Sequence, residues 1–382
     1  MTELDRLLPE QEDFRKVVRE FVLDKVAPRA ADIDASGEYP VDLHGEMVNA
    51  ELVGVMFPAE LGGAGADAVT QAILIEEVAR VCASSSMIPL LNKLGMIPLL
   101  LRGTPEQLWD WIPRIVAGEV QAAYGLTEPE AGSDVANMRT RAVRDGDTWV
   151  LSGGKRFISN AGVAGVYTIF AKTDPDADSR GVSCFIVPAD SPGFQVTGYE
   201  DKMGLRGSPT GELALDEVRI PAENLVGEEG EGFAIAMMTL DRSRPAIGAQ
   251  AVGIGQGALD VALEYAKERV QFGKPIIEHQ AVAFMLADMD MKIRAARHLV
   301  YEAHTMIDRN NPELTHVAAA AKCFASDVAM EVTTDAVQVL GGYGYIKDFP
   351  VERFMRDAKV TQLYEGTNQI QRVVISRALA GA

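Results

Sequence analysis

Apolar positions recur along this chain at two different spacings, and the spacing changes twice. From residue 1 to about 120 it is helical: Phe14, Val17, Val18, Phe21 and Val22 share one face. "GTPEQLWDWIPRIV" predicts a helix start, with Thr104 as N-cap, Pro105 at the first helical position and Gln107 at the third. "SMIPLLNKLGMIPLLLRG" is apolar but interrupted by Asn92, Lys93, two prolines and glycines, so it predicts a buried helix rather than a bilayer span. From about 121 to 230 the pattern is strand-like. "AVRDGDTWVL" places an Asp145-Gly146 turn between short strands, and "VYTIFAK", "GVSCFIVP" and "ELALDEVRIP" are bounded by Gly, Pro and Asp. This predicts a compact antiparallel β domain.

From about 231 to 382 helical spacing returns. Leu259, Ala262, Ala266 and Val270 predict one helix face. Val282, Met285, Met289, Ile293, Ala296 and Val300 predict a second. A third helix starts after Asn311-Pro312 and ends at Gly341 or Gly342. Its run "HVAAAAKCFASDVAM" suits close packing in an antiparallel bundle. The fold class is therefore α+β and mainly α, with an N-terminal helical domain (1–120), a middle antiparallel β domain (121–230) and a C-terminal helical bundle (231–382).

Composition narrows the partners. Lys and Arg total 36 against 55 Asp and Glu, a net charge of −19, which argues against nucleic acid and anionic membranes. Cys82, Cys184 and Cys323 are scattered and odd in number, so no disulfide framework or zinc spacing is implied, and a cytoplasmic setting is expected. The acidic opening "MTELDRLLPEQEDFRK" has no apolar signal core. Five dispersed histidines give no metal-ligand spacing. There is no phosphate-binding P-loop, no nucleophile elbow and no dinucleotide fingerprint; "GIGQG" sits within a helical segment.

Four stretches have the residue types of a site. "YGLTEPEAGSD" (124–134) is a turn-rich junction whose N–H groups and hydroxyls suit a phosphate or a ring edge. "GGKRFISNAG" (153–162) puts Phe157 and Ser159 two apart, hence on one face of an extended strand. "ERVQFGKPIIEHQ" offers Arg269 and Lys274 near a helix end, and "QVLGGYGY" is a glycine turn with aromatics. Each of these also reads as an ordinary capped turn or helix end. In "LYEGTNQIQR" a lone acid, Glu365, stands between Tyr364 and Gly366.

Taken together and in this order, these stretches resemble the acyl-CoA dehydrogenase family over essentially the whole chain. "FPAELGGAG", "KMGLRGSPTGEL" and "RDAKVTQLYEGTNQIQR" extend the match. The resemblance implies FAD held between a middle β domain and a C-terminal four-helix bundle, usually in a homotetramer. It implies that Tyr124, Leu126, Thr127, Gly132 and Ser133 line the flavin and its phosphates. Phe157 would cover the ring, with Ile158 beside it and the Ser159 hydroxyl facing the hydride-accepting nitrogen. Arg269, Phe272, Gln280, Gln338, Gly341 and Gly342 would meet the FAD of a neighbouring subunit, and Thr367 and Gln369 would close over the cofactor. Ser133, Asp241, Arg244, Tyr364 and Gly366 would border the acyl-CoA, with Glu365 as the base that removes its α-proton.

The chemistry of that assignment is sound. A proton α to a thioester is weakly acidic, so a positioned carboxylate is needed to remove it, and burial raises that carboxylate's basicity. Some family members place the base near "LDRSRP"; Ser243 stands there and is no base. Arg244 is expected to orient or charge-balance Glu365. The product would be a trans-2-enoyl-CoA, and an electron-transfer flavoprotein the electron acceptor. A short or medium acyl chain is expected. The alternatives are a flavin oxidase or monooxygenase on the same fold, or a catalytically silent binding or assembly protein. The acid at Glu365 disfavours a monooxygenase, oxidases of this family usually run much longer with an extra C-terminal domain, and the retained acid and FAD stretches disfavour a silent protein.

Overall fold

The computed structural model describes residues 7–381, so the reading of the first six residues as free of a presequence lies outside the described residues. The N-terminal third folds as α1 (Pro9–Phe21), α2 (Ala30–Ser36), α3 (Val41–Asn49), α4 (Ala68–Ala79), α5 (Ala83–Arg102) and α6 (Pro105–Val116). The α6 start is the expected one: the Thr104 side chain accepts from the Gln107 N–H, and the Gln107 side chain returns a bond to the Thr104 N–H. The interrupted apolar stretch forms α5, with both prolines inside it. Asn92 is fully buried there, because its side chain accepts from the Ala122 N–H and donates to the Ile88 carbonyl.

The middle third is a sheet of β1 (Ala122–Gly125), β2 (Arg141–Asp145), β3 (Thr148–Ser159), β4 (Val166–Lys172), β5 (Val182–Pro188), β6 (Phe194–Tyr199), β7 (Thr210–Pro221) and β8 (Leu225–Val226). Its order is β6-β7-β3-β2-β4-β5-β8. The sheet is not purely antiparallel as expected: β1 pairs with β4 in parallel, and β2 meets β4 in parallel at Arg141 and Lys172. A parallel pair needs a long connection, and the expectation assumed hairpins only. The β2–β3 hairpin is also set one residue later than expected. Asp145 pairs with Thr148, so Gly146-Asp147 form the loop, with Gly146 at φ +61°.

Strands β4 and β5 read as continuous apolar runs because both of their faces are covered. Tyr167, Ile169, Phe185 and Val187 face one core with Trp149 and Ile220. Val166, Phe170, Cys184 and Ile186 face a second core shared with the N-terminal helices.

The last third comprises α7 (Gly232–Glu268), β9 (Val270–Gln271), β10 (Lys274–Pro275), α8 (Gln280–Asp308), α9 (Leu314–Leu340), α10 (Val351–Thr361) and α11 (Asn368–Ala380). Helices α7, α8, α9 and α10 pack as a bundle around Ala246, Ile254, Ala262, Met289, Ile293, Val300, Ala329 and Phe354. Val270 was expected on the α7 face but lies beyond the helix, exposed in β9. A β-branched residue after Arg269 continued the apolar period in the sequence, while the backbone had already turned into the short β9–β10 ribbon. Helix α7 lies close against α4: a Cβ on Gly257 would come within 2.0 Å of the Arg80 carbonyl oxygen, so only glycine permits that approach. Helices α5 and α7 are long and apolar enough to cross a membrane, yet 83% and 78% of those windows are buried inside the protein.

Candidate functional site

Glu365 lies in the turn between α10 and α11, where Glu365 has φ +53° and Gly366 φ +92°. A left-handed backbone costs a non-glycine residue about 1 kcal/mol or more, so the surroundings must hold it. They do so through its carbonyls. The Glu365 carbonyl accepts from Arg244 Nε at 3.4 Å and Gln371 Nε2 at 3.2 Å. The Gly366 carbonyl accepts from Gln371 Nε2 at 2.9 Å and from Lys322 Nζ at 2.8 Å. Lys322 reaches from α9, is fully buried, and also bonds Asn368 Oδ1 at 3.0 Å. Thr367 caps α11, its hydroxyl accepting from the Ile370 N–H.

The carboxylate points back to α7, where Ser243 Oγ donates to Glu365 Oε2 at 2.5 Å. Burial pushes the carboxyl up to about 7, against the opposing pull of the Ser243 hydrogen bond and then of the Arg244 and Lys322 charges. Burial also pushes the Lys322 ammonium down to about 8. Arg244 was expected to orient or charge-balance Glu365. It forms its ion pair with Asp241 at 2.8 Å and bonds the Glu365 backbone, so its influence on the carboxylate is a longer-range charge effect.

The raised carboxyl has a consequence for stability. Its folded value of about 7 exceeds its ordinary value of 4.5, so the folded protein binds the proton more tightly. The stabilisation is fully present below about pH 4.5 and is lost as pH rises through about 7. Glu365→Gln is therefore expected to raise the apparent Tm more at pH 8 than at pH 5, measured by calorimetry. Equal shifts at both pH values would contradict it.

Beside Glu365, the Tyr364 hydroxyl hydrogen-bonds Gln250 Oε1. Gln250 is fully buried in α7, and its amide donates to Ser86 Oγ at 2.9 Å and Met87 Sδ at 3.1 Å on α5. Helices α5 and α7 thus meet the turn that carries the acid in one polar contact.

The junction after β1 is tied to β3. The buried Glu128 carboxylate accepts from the Arg139 and Thr140 N–H groups and pairs with Lys155 Nζ at 2.8 Å. Lys155 also donates to the Leu126 carbonyl, and the Arg156 N–H to the Thr127 carbonyl. This draws the 124–128 segment against a bulge in β3, where Phe157 takes φ +57°. At the bulge, Phe157 and Ser159 flank the buried Ile158: Phe157 is 57% exposed and Ser159 half-buried. Gly132 and Ser133 are exposed at the end of the same loop, and a Cβ on Gly132 would meet nothing within 4 Å. The Tyr124 hydroxyl is buried without a partner. An exposed aromatic face, an open glycine-serine turn and an unpaired buried hydroxyl suit a planar ring with a polar, phosphorylated tail.

Arg269, Phe272, Gly341 and Gly342 come together elsewhere. They line a surface groove of about 690 Å³ with Tyr265, His279 and Tyr343. Phe272 is 95% exposed, and Arg269 stacks over the Tyr343 ring. Gln280 and Gln338 are exposed near the ends of α8 and α9, but neither lines this groove. None of the residues around Glu365 lines it either. Gln369 is exposed on the first turn of α11.

Family models agree with this arrangement over nearly the whole chain. Those for the N-terminal, middle and C-terminal domains of acyl-CoA dehydrogenase match residues 8–119, 123–218 and 230–380. The chain belongs to the acyl-CoA dehydrogenase family. It is an oxidoreductase, and the family's dehydrogenation of acyl-CoA depends on FAD. It is 53% identical to a probable acyl-CoA dehydrogenase of Mycobacterium tuberculosis over 99% of this chain and 97% of that one. Butyryl-CoA dehydrogenase from Megasphaera elsdenii superposes with a TM-score of 0.96 at 43% identity, covering 98% of this chain and 99% of the other. A chain solved in a study of the electron transferring flavoprotein of Acidaminococcus fermentans also superposes at 0.96, with 45% identity and 98% and 99% coverage.

Several residues that shape the site were not legible beforehand. Lys322 was the one lysine in an alanine-rich run, which was a usable signal. Gln250 and Lys155 gave none, because each acts on a residue distant in sequence; Gln371 acts only five and six positions back, within "LYEGTNQIQR".

Proposed function

We propose that this enzyme dehydrogenates a short-chain acyl-CoA at Cα–Cβ, with Glu365 as the base. The observation that supports it is the Glu365 carboxyl: partly buried, raised to about 7, and fixed in a left-handed turn by donors from α7, α9 and α11. A base with that value is half-ionised near neutral pH and strong enough to take a proton α to a thioester. Glu365 takes and keeps the α-proton, and the Cα–H pair, delocalised toward the thioester carbonyl, becomes the Cα–Cβ π bond as the β-hydrogen leaves with its own pair. FAD, when bound, supplies the two-electron acceptor for the β-hydrogen. Tyr124, Leu126, Thr127, Gly132, Ser133, Phe157, Ile158 and Ser159 hold it; Asp241, Arg244, Tyr364 and Gly366 border the substrate. Thr367 and Gln369 close over the cofactor, while Arg269, Phe272, Gln280, Gln338, Gly341 and Gly342 reach the FAD of a second copy in a homotetramer.

The chain length follows from the plug behind the acid. Tyr364, Gln250, Ser86 and Met87 join the turn after α10 to α7 and α5 by hydrogen bonds. A long acyl chain would have to break this contact and leave buried polar groups unpaired. The likeness to a butyryl-CoA dehydrogenase points the same way. Gln250→Ala is expected to raise kcat/KM for octanoyl-CoA relative to butyryl-CoA by about tenfold or more, since added methylenes are worth 10-fold to 200-fold in an apolar pocket. An unchanged ratio would remove the plug from the argument.

The acceptor is an electron-transfer flavoprotein, a setting in which a chain of this fold was solved. The three buried free cysteines suit the cytoplasm. The deciding experiment is an anaerobic titration of the FAD-loaded protein with butyryl-, octanoyl-, palmitoyl- and isobutyryl-CoA. Bleaching of the flavin by butyryl-CoA first and most completely is expected. Preference for palmitoyl-CoA would overturn the short-chain reading.

A further inference from the structure

We propose that Ser243 is a positioning residue that keeps Glu365 hydrogen-bonded both before and after the acid takes up a proton, by reorienting its single hydroxyl hydrogen. The inference rests on Glu365 being the base and adds what the reaction needs next to it.

Ser243 Oγ has two acceptors in reach: Glu365 Oε2 at 2.5 Å and the Leu240 carbonyl, one turn back in α7, at 3.3 Å. A hydroxyl has one hydrogen and two lone pairs, so it can donate to only one of them at a time. With Glu365 ionised, the hydrogen points to the carboxylate, which can only accept. With Glu365 protonated, the carboxyl O–H donates to Ser243 Oγ and the serine hydrogen swings to the Leu240 carbonyl. In both states a hydrogen lies between Ser243 Oγ and Glu365 Oε2, and neither of these atoms has to move. Ser243 is 3% exposed, so its hydroxyl is held away from bulk water. A buried carboxyl left without such a partner pays the full cost of desolvation in one of its two states.

The other charged and titratable groups facing Glu365 cannot switch in this way. Arg244 and Asp241 on α7 are paired with each other. Lys322 on α9 donates to Gly366 and Asn368. Tyr364 is bonded to Gln250. Tyr124 on β1 has a buried hydroxyl without a partner and bears on Glu365 only through charge. Among the described residues, Ser243 alone bonds the carboxylate and also holds an alternative acceptor.

Removing the hydroxyl should weaken the ionised form more than the protonated one, in keeping with the direction in which the Ser243 bond acts on Glu365. The test compares wild type, Ser243→Ala, Ser243→Thr and Glu365→Gln as FAD-loaded proteins. The protonated Glu365 carboxyl is followed against pH by difference infrared spectroscopy, its band assigned by its loss in Glu365→Gln. Butyryl-CoA-driven flavin reduction is followed in parallel. In Ser243→Ala the titration midpoint should rise by about one pH unit. The reduction rate should then fall about tenfold at pH 6 and approach wild type above pH 9, with the thioester's Kd little changed. Ser243→Thr, which keeps the hydroxyl, should restore the wild-type midpoint.

A Ser243→Ala midpoint at or below wild type, or a rate loss equal at all pH values, would overturn the proposal and leave Ser243 a packing residue. Failure of the underlying reading looks different: Glu365→Gln would then reduce its flavin with butyryl-CoA at the wild-type rate.

Discussion

Glu365→Gln is expected to slow butyryl-CoA-driven flavin reduction by about 10²–10⁴-fold while the protein stays yellow, because general-base catalysis contributes on that order. The substitution keeps the size and the polar surface of the side chain and removes only its basicity. The left-handed turn should survive, since it is held through the Glu365 and Gly366 carbonyls by Arg244, Gln371 and Lys322. The amide can still hydrogen-bond Ser243 on α7. FAD content and thioester binding should therefore be retained, and the loss should fall on the rate of reduction. Stopped-flow absorbance at saturating butyryl-CoA reads that rate. A variant that reduces its flavin at a tenth of the wild-type rate or faster would mean that another group takes the α-proton.

Lys155→Met is expected to destabilise the middle domain by about 3–5 kcal/mol, the usual cost of breaking a buried ion pair by removing one partner. Lys155 is fully buried, and burial pushes its ammonium down to about 8 even with Glu128 at 2.8 Å. Without it, the Glu128 carboxylate keeps the Arg139 and Thr140 N–H bonds but has no counter-charge in a buried place. The Leu126 carbonyl loses its donor in the same step, and with it one of the ties between the 124–128 segment and the β3 bulge. FAD occupancy should fall along with the apparent Tm, both measured on protein purified without added cofactor. Adding Glu128→Leu to Lys155→Met should recover part of the Tm but not the FAD occupancy, because it removes the stranded charge without restoring the loop's tether. A single variant with wild-type Tm would show that the pair is not a structural tie.

The site was legible in the sequence to different depths. The stretch "LYEGTNQIQR" marked Glu365, and the turn-rich "YGLTEPEAGSD" marked the loop after β1. The character of the acid was less visible. Its carboxyl is raised because tertiary packing buries it, and its hydroxyl partner Ser243 lies 122 positions earlier in the chain. Arg244 was expected to orient or charge-balance Glu365; that its guanidinium meets Asp241 and the Glu365 backbone carbonyl was decided by the fold.

By itself the sequence determined what depends on neighbours within a few positions. Helical and alternating spacing separated the three regions. The Thr104 capping box set the start of α6, and Gly341, at φ +59°, set the end of α9. These are local choices of backbone and hydrogen-bond partner, so local residues decide them. Only the tertiary structure decided the parallel pairing of β1 with β4, the bulge that turns Phe157 outward, and the burial of Lys155 and Lys322. A lysine looks the same in sequence whether it ends in water or against a carbonyl. Which of the two occurs depends on groups brought in from far along the chain: Glu128, 27 positions away, for one, and Gly366, 44 positions away, for the other.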